Sequence, residues 1–278
     1  LTVGAILDQL GAPSEDHIRH AHDLLRAVPE PLREAAAEPF TARAVIHALL
    51  LNDDPTARRA QLNRLAEFAD PGLDRETQRL VDPVRRLDAR ARLTLIDLAI
   101  PSLASMSPPQ YQRFRANVEE LVKADDRLAL FEWILQRIVI RHLDAQFHES
   151  PPTRVKYYGL QRLAEPTAVL LSTLAYTGNR DPAAAQSAFT TAAAELDDDV
   201  AISLLPINEL RFDRLSDALD ALEQTAPKVR GKVVRAAAAC VIADHEVTVE
   251  EAELLRAICD SLDCPMPPLL PGQRLALK

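Results

Sequence analysis

The sequence contains little glycine and few aromatic residues. Only 7 of its 278 residues are glycine, and aromatic residues make up 4% of the chain. Strands favour β-branched and aromatic side chains, whereas alanine, leucine and arginine, which dominate here, are strong helix formers. The composition therefore argues against a β-rich protein and predicts an all-α fold, an array of about a dozen short helices.

Long hydrophobic runs are also missing. The longest, at 168–175 and 200–207, fall far short of the roughly 20 apolar residues that a membrane-spanning helix needs. The chain has no signal peptide and begins at Leu1 rather than at methionine, so we expect a soluble piece excised from a longer protein. Its three cysteines form no Cys-x-x-Cys pair, which fits a reducing cytoplasm.

Positive charge is in deficit. The formal net charge is −9, and without a basic stripe this balance argues against a nucleic-acid partner. Two short arginine pairs, at 58–59 and 85–86, are most simply solvated helix faces. Contact with anionic lipid headgroups is the alternative interpretation of these pairs.

Catalytic motifs are absent from the sequence as well. The zinc-protease signature His-Glu-x-x-His does not occur, because neither of the two His-Glu pairs, at 148–149 and 245–246, is followed by a second histidine at the required spacing. There is no glycine-rich phosphate loop and no nucleophile elbow. We therefore predict no enzyme active site within these residues.

The chain does contain an internal repeat. Residues 124–132 and 243–251 match at a constant offset of 119 residues, and the similarity extends into the flanking segments. Seven apolar positions of the first copy, Phe114, Val118, Leu121, Val122, Leu128, Leu135 and Val139, fall on Val233, Ala237, Cys240, Val241, Val247, Leu254 and Ile258. The spacing in each copy predicts a helix, a short acidic corner and a second helix.

A capping box marks the start of the second helix in the later copy. Thr248 is followed three residues on by Glu251, so the hydroxyl and the carboxylate can each accept a hydrogen bond from a free N–H group at the helix start. In the earlier copy Ala129 takes the place of Thr248, so that box is incomplete.

The acidic corners are the candidate metal sites. Carboxylate oxygens suit a hard divalent cation such as Ca²⁺ or Mg²⁺, although the spacing differs from that of an EF-hand loop. The candidate ligands are Asp125, Asp126 and Glu132 in the first corner and Asp244, Glu246 and Glu251, with Glu250 beside them, in the second. Helix capping and a solvated acidic turn explain the same residues without a metal, and this alternative stays open.

The corner pattern Ala-Asp-x-x-Val-x-x-x-Glu, followed by a leucine-rich helix, resembles the signature of TerB-like (tellurite-resistance B) domains. The resemblance covers roughly residues 111–262. It implies a helical core that carries two acidic corners suspected of binding metal. Members usually have glycine after the aspartate, whereas Asp126 and His245 occupy that position here; both residue types tolerate a left-handed conformation better than most.

A second resemblance covers the remaining sequence. Residues 24–36, 42–51 and 262–270 are similar to the region that follows the peptidase domain in large bacterial M48-family membrane metallopeptidases, where a TerB-like module lies at the C-terminal end. The resemblance implies that the zinc ligands and the catalytic glutamate belong to a peptidase domain outside this sequence. It also implies a location on the cytoplasmic side of the bacterial inner membrane, with the membrane reached only through a transmembrane part that is absent here.

On these grounds we expect a non-catalytic regulatory or interaction module of such a peptidase, with ion sensing at the acidic corners as part of its role. Its partner would be another protein or the peptidase domain of the same polypeptide. The alternative is a free-standing TerB-like helical protein with a stress-response or scaffold function.

The sequence also suggests a division into domains. We predict an N-terminal helical region at 1–105 and a TerB-like domain at 106–278, with an inserted helical segment at about 145–225. The polar stretch at 144–153, which contains Pro151 and Pro152, is the best candidate for a linker.

Overall fold

The prediction of an all-α protein is confirmed. The structure, a computed structural model, describes residues 22–123, 130–147, 154–179, 181–197, 199–244 and 247–264. Within these residues the only β-type pairing is one isolated bridge, between Tyr157 and Thr225. No helix in the described ranges combines the length and the apolar character needed to cross a membrane.

The chain divides into two compact bodies near residue 150. The first body contains a short helical stretch at 22–27 and seven further helices. These are α1 (Glu30–Ala37), α2 (Pro39–Leu49), α3 (Pro55–Phe68), α4 (Leu73–Arg85), α5 (Ala89–Leu103), α6 (Pro108–Lys123) and α7 (Leu130–Phe147).

Helix α2 is the centre of the first body. It packs against α1, α4, α5 and α6, and the eight consecutive residues 42–49 are all buried. A helix that is buried on every side must be apolar all round. The run of alanine, valine, isoleucine and leucine in α2 meets that condition, with Arg43 and His47 as its polar exceptions.

The second body spans the described part of residues 154–264. Its helices are α8 (Ala164–Gly178), α9 (Pro182–Ala193), α10 (Phe212–Glu223), α11 (Pro227–Val241) and α12 (Val249–Ser261), with short 3-10 turns at Gln161–Leu163 and Ile207–Glu209. Helix α8 has the central place here, because it packs against all four of the other helices. Its residues 167–172 are buried without interruption.

The internal repeat is visible in the helix boundaries. Helices α6 and α11 begin at Pro108 and Pro227, and helices α7 and α12 begin at Leu130 and Val249. In each pair the two start positions are 119 residues apart, which is the offset found in the sequence. The matched apolar positions are buried in both copies except for Val247, which is half-buried, and its counterpart Leu128, which is outside the described residues. The predicted helix, corner and helix order is therefore confirmed, although residues 124–129 of the first corner are not described.

The two copies of the repeat lie in different bodies. The sequence prediction placed the domain boundary after residue 105, whereas the packing divides the chain near residue 150. Helix α6 contacts α2 and α3, and α7 contacts α5, so residues after 105 complete the first core. The segment predicted as an insert supplies the central helix of the second body. The division falls within the predicted linker at 144–153, but residues 144–147 belong to helix α7, and residues 148–153 are outside the described ranges.

Candidate functional site

The second acidic corner connects α11 to α12 and is closed by the predicted capping box. The Glu251 backbone N–H donates to Thr248 Oγ1 at 3.2 Å. In return, Oε2 of Glu251 accepts from the Thr248 backbone N–H at 2.9 Å and from the Thr248 hydroxyl at 2.8 Å. The box predicted from the sequence is confirmed, and it assigns one carboxylate oxygen of Glu251 to a structural role.

Glu251 is buried, with 1% of its surface exposed. Burial raises the pKa of this carboxyl group, the hydrogen bonds from Thr248 oppose that effect, and the charges of Asp244 and Glu250 add to it. The second carboxylate oxygen lies against Gly178, the last residue of α8. The corner is thus fixed both by its own cap and by contact with the central helix.

A buried thiol lies close to the same corner. Cys240, near the end of α11, is 2% exposed and donates a weak hydrogen bond to the carbonyl oxygen of Leu171 at 3.8 Å. Burial, reinforced by the charges of Glu251 and Asp244, raises the pKa of Cys240 to about 12. The thiol is therefore protonated at neutral pH and serves as a core residue rather than a metal ligand or nucleophile.

The predicted metal ligands of the second corner occupy different environments. Asp244 and Glu250 are exposed, Glu251 is buried in its cap, and Glu246 is outside the described residues. Over the described ranges, no three side chains of histidine, cysteine, aspartate or glutamate are grouped so that they could hold a metal ion. The described residues of this corner alone do not bring three such groups together, and a cation site that includes Glu246 stays a prediction.

The first corner is described only in part. Asp125 and Asp126 lie outside the described residues, and Glu132, in the first turn of α7, is half-buried. Metal binding at Asp125 and Asp126 stays a prediction.

Acidic charge is concentrated in the second body. Residues 154–264 include 18 acidic and 11 basic residues, whereas residues 22–147 include 19 acidic and 18 basic ones. Helix α10 shows the asymmetry most clearly. Asp213, Asp217 and Asp220 are all exposed and follow the spacing that places side chains on one helix face. The opposite face of α10, formed by Leu215, Ala218, Leu219 and Leu222, is buried.

The two arginine pairs of the first body come together. Arg58 at the start of α3 and Arg85 at the end of α4 both donate to the backbone carbonyl of Asp53, at 3.1 and 3.2 Å. Arg85 also forms an ion pair with the Asp53 carboxylate at 2.5 Å. Further aspartates lie in the same stretches, at positions 54, 82 and 88. The surface is of mixed charge, which favours the interpretation as solvated helix faces over a lipid-headgroup site.

Sequence reasoning missed His47, on the buried helix α2. Its side chain is fully buried, it is stacked on Phe114 with ring centroids 5.5 Å apart, and neither ring nitrogen has a hydrogen-bond partner. Burial, together with the nearby charge of Arg43, lowers the pKa of His47 to about 3. The ring is neutral at physiological pH. The sequence signal for a buried histidine was its position between Ile46 and Ala48, within a continuous apolar run.

Comparisons with protein-family models, with curated proteins and with solved structures find no match to this chain.

Proposed function

We propose that this chain is a non-catalytic regulatory or interaction module of a membrane-bound M48-type zinc metallopeptidase, and that its second body binds a positively charged segment of the peptidase. The peptidase assignment is supported by the sequence resemblance at residues 24–36, 42–51 and 262–270. The chemistry of the interaction is supported by the charge distribution of the structure.

The acidic face of α10 supports the second part of the proposal, the binding of a positively charged segment. Asp213, Asp217 and Asp220 form an exposed stripe on a body with seven more acidic than basic residues. A concentrated field of one sign accelerates association with an oppositely charged partner and selects against partners of like charge. The first body is nearly balanced in charge, with 19 acidic and 18 basic residues at 22–147.

The second corner supports this role as a rigid structural element. Because the Glu251 carboxylate caps α12 and contacts Gly178, the start of α12 is held against the end of α8. The proposal keeps ion sensing at both acidic corners, with Asp125, Asp126 and Glu132 as candidate ligands in the first and Asp244, Glu246 and Glu251 in the second.

The coding region upstream of this chain provides the first test. It should encode transmembrane segments and a His-Glu-x-x-His motif. An upstream region without either feature would contradict the peptidase assignment and favour a free-standing helical protein of the TerB-like kind.

The second test uses the upstream peptidase part, produced separately and titrated into this chain by calorimetry at low and at high salt. We expect binding that weakens as salt is added, because exposed charges are screened. The triple variant Asp213→Asn, Asp217→Asn, Asp220→Asn should bind about tenfold more weakly, since each exposed charge pair contributes up to about 1 kcal/mol.

A matched control changes the net charge by the same amount on the other body. The triple variant Glu30→Gln, Glu34→Gln, Glu67→Gln alters three exposed carboxylates of the first body and should bind as the unmodified chain does. Equal weakening in both triple variants would show a general charge effect and contradict a docking role for α10. Absence of binding at low salt would contradict the interaction as a whole.

A further inference from the structure

The C-terminal end of α12 is a Schellman motif that contains two cysteines. The backbone N–H of Cys264 donates to the carbonyl of Cys259 at 2.8 Å, and that of Asp263 donates to the carbonyl of Asp260 at 3.1 Å. Asp263 has a left-handed backbone, with φ of 51°, as the motif requires. The chain therefore reverses so that Cys264 folds back over the last turn of the helix.

This geometry brings the two cysteines together across the end of the helix. In Schellman motifs the side chain of the residue two positions beyond the cap frequently packs against that of the third-last helical residue. Those positions are held by Cys264 and Cys259. Their electrostatic interaction is consistent with this contact: burial raises the pKa of Cys259, and the neighbouring Cys264 raises it further.

The two thiols differ in their access to solvent. Cys259 is fully buried, whereas Cys264 is half-buried. The pKa of Cys264 is raised, chiefly by burial and further by the Asp263 carboxylate, while the guanidinium of Arg230 opposes this shift. Cys264 is the thiol that a reagent in solution meets first because it is the more exposed of the two, and the nearby cation offsets part of the cost of forming its thiolate.

Arg230 also holds the turn in place. Its guanidinium reaches from α11 and donates to the Leu262 carbonyl at 3.2 Å and to the Asp263 carboxylate at 2.7 Å. The αL residue of the motif is thus tied to a neighbouring helix, which keeps Cys264 over Cys259 in the folded protein.

We propose that Cys259 and Cys264 are a redox modification site that closes to an intramolecular disulfide. With a small disulfide such as oxidised glutathione as the oxidant, the Cys264 thiolate attacks one glutathione sulfur and releases the other glutathione as a thiolate. Cys259 then loses its proton to solvent and attacks the Cys264 sulfur, which displaces the second glutathione. Two protein thiols are oxidised, and one glutathione disulfide is reduced to two thiols.

The test incubates the native chain with oxidised glutathione, blocks the remaining thiols with an alkylating reagent and measures the intact mass and the peptide map. We expect the unmodified chain to keep one free thiol, on Cys240, and to show a peptide linked through Cys259 and Cys264. A Cys240→Ala variant should form the same linkage, because Cys240 lies on α11 in contact with Leu171.

Single variants at the two positions separate the steps. In Cys259→Ser the glutathione adduct on Cys264 should persist, since no thiol is present to displace it. In Cys264→Ser neither remaining cysteine should react, because both are buried. Because Cys264 is only half-buried, its substitution should disturb the fold less than that of the buried Cys259. The Cys264→Ser variant therefore still tests the proposal if Cys259→Ser impairs folding.

Three results would overturn the proposal. The first is a native chain that keeps all three thiols under conditions that oxidise the urea-unfolded chain. The second is a stable glutathione adduct on Cys264 while Cys259 is present. The third is oxidation of the Cys264→Ser variant at the rate of the unmodified chain.

Discussion

Gly178 lies against the carboxylate of Glu251, so closely that a Cβ atom at position 178 would overlap Oε1 and Cδ of the glutamate. Gly178 ends α8, and Glu251 lies in the first turn of α12. The lack of a side chain at position 178 is therefore what allows the capped corner to pack against the central helix of the second body.

Substitution of Gly178 by alanine should destabilise the second body. The added methyl group would displace the Glu251 carboxylate and break the capping box, a loss of about 1 kcal/mol. Urea unfolding of the variant measures this cost. In a Glu251→Ala background the same substitution should cost much less, because the group that it displaces is gone.

Gly231→Ala is the matched control. This glycine lies inside α11, and a Cβ atom there would meet no atom within 4 Å. Alanine is the better helix former, so the control should stabilise the protein by roughly 0.4 to 1 kcal/mol. Equal effects of the two substitutions would contradict a steric role for Gly178.

Glu251 should also give the second body a characteristic pH dependence. Its pKa is raised, chiefly by burial, so above the ordinary pKa of a glutamate the folded state binds more protons at this group than the unfolded chain does. The contribution to stability is therefore greatest at acidic pH and decreases as pH rises through the raised pKa.

Glu251→Gln removes this titration and keeps an oxygen that can accept from Thr248. The free energy of unfolding of the unmodified chain, relative to the variant, should increase as the pH is lowered. Glu34→Gln, at an exposed position of the first body, is the control. The free energy of unfolding of the unmodified chain relative to this control should not increase as the pH is lowered. Parallel curves for the unmodified chain and Glu251→Gln would contradict the prediction.

His47 should make the first body less stable in acid. The folded state lowers the pKa of this ring to about 3, while the ring in the unfolded chain titrates near 6.5. Between these values the unfolded chain binds more protons, so stability falls as pH decreases from about 6.5 towards 3. The slope from this one group is at most about 1.4 kcal/mol per pH unit.

A His47→Leu variant tests this prediction by urea unfolding across that pH range. The variant should lose the acid-dependent slope. At neutral pH its stability should change by no more than about 1 kcal/mol, because two unpartnered buried nitrogens are replaced by an apolar group of similar size. The control is His22→Gln, at an exposed position. An unchanged slope in His47→Leu would show that the acid sensitivity arises elsewhere.

Local sequence signals predicted the parts of the structure that depend on neighbouring residues. The Thr248 and Glu251 capping box was found as expected. The start of α3 has a cap of the same local kind, in which the Asp54 carboxylate accepts from the Ala57 N–H at 2.8 Å. A cap joins groups within one turn of a helix, so residue types at a fixed spacing are sufficient to predict it.

The same signals could not predict contacts between distant segments. Nothing near Gly178 in the sequence indicates that it must accommodate Glu251. Likewise, the repeat indicated two similar helix pairs but not that each would pack in a separate body. A helix pair buries its apolar face against whichever central helix is available, and the periodicity of the pair does not specify that helix.

The ion-pair network around Asp70 leads to a further prediction, in the first body. Arg43, on the central helix α2, and Arg113, on α6, both donate to the Asp70 carboxylate. Burial acts to raise the pKa of Asp70, but the two guanidinium groups outweigh this effect and lower it. The Arg43 side chain is only 6% exposed, whereas that of Arg113 is 49% exposed.

The ion pair of Asp70 with the buried Arg43 should therefore contribute more to stability than the ion pair of Asp70 with the exposed Arg113. Asp70→Asn leaves the buried Arg43 charge without its carboxylate, which should cost about 3 kcal/mol in the free energy of unfolding. Arg113→Gln removes only an exposed partner and should cost less than about 1 kcal/mol. Urea unfolding of both variants at neutral pH gives the comparison. Equal costs would mean that the burial of Arg43 does not determine the strength of this network.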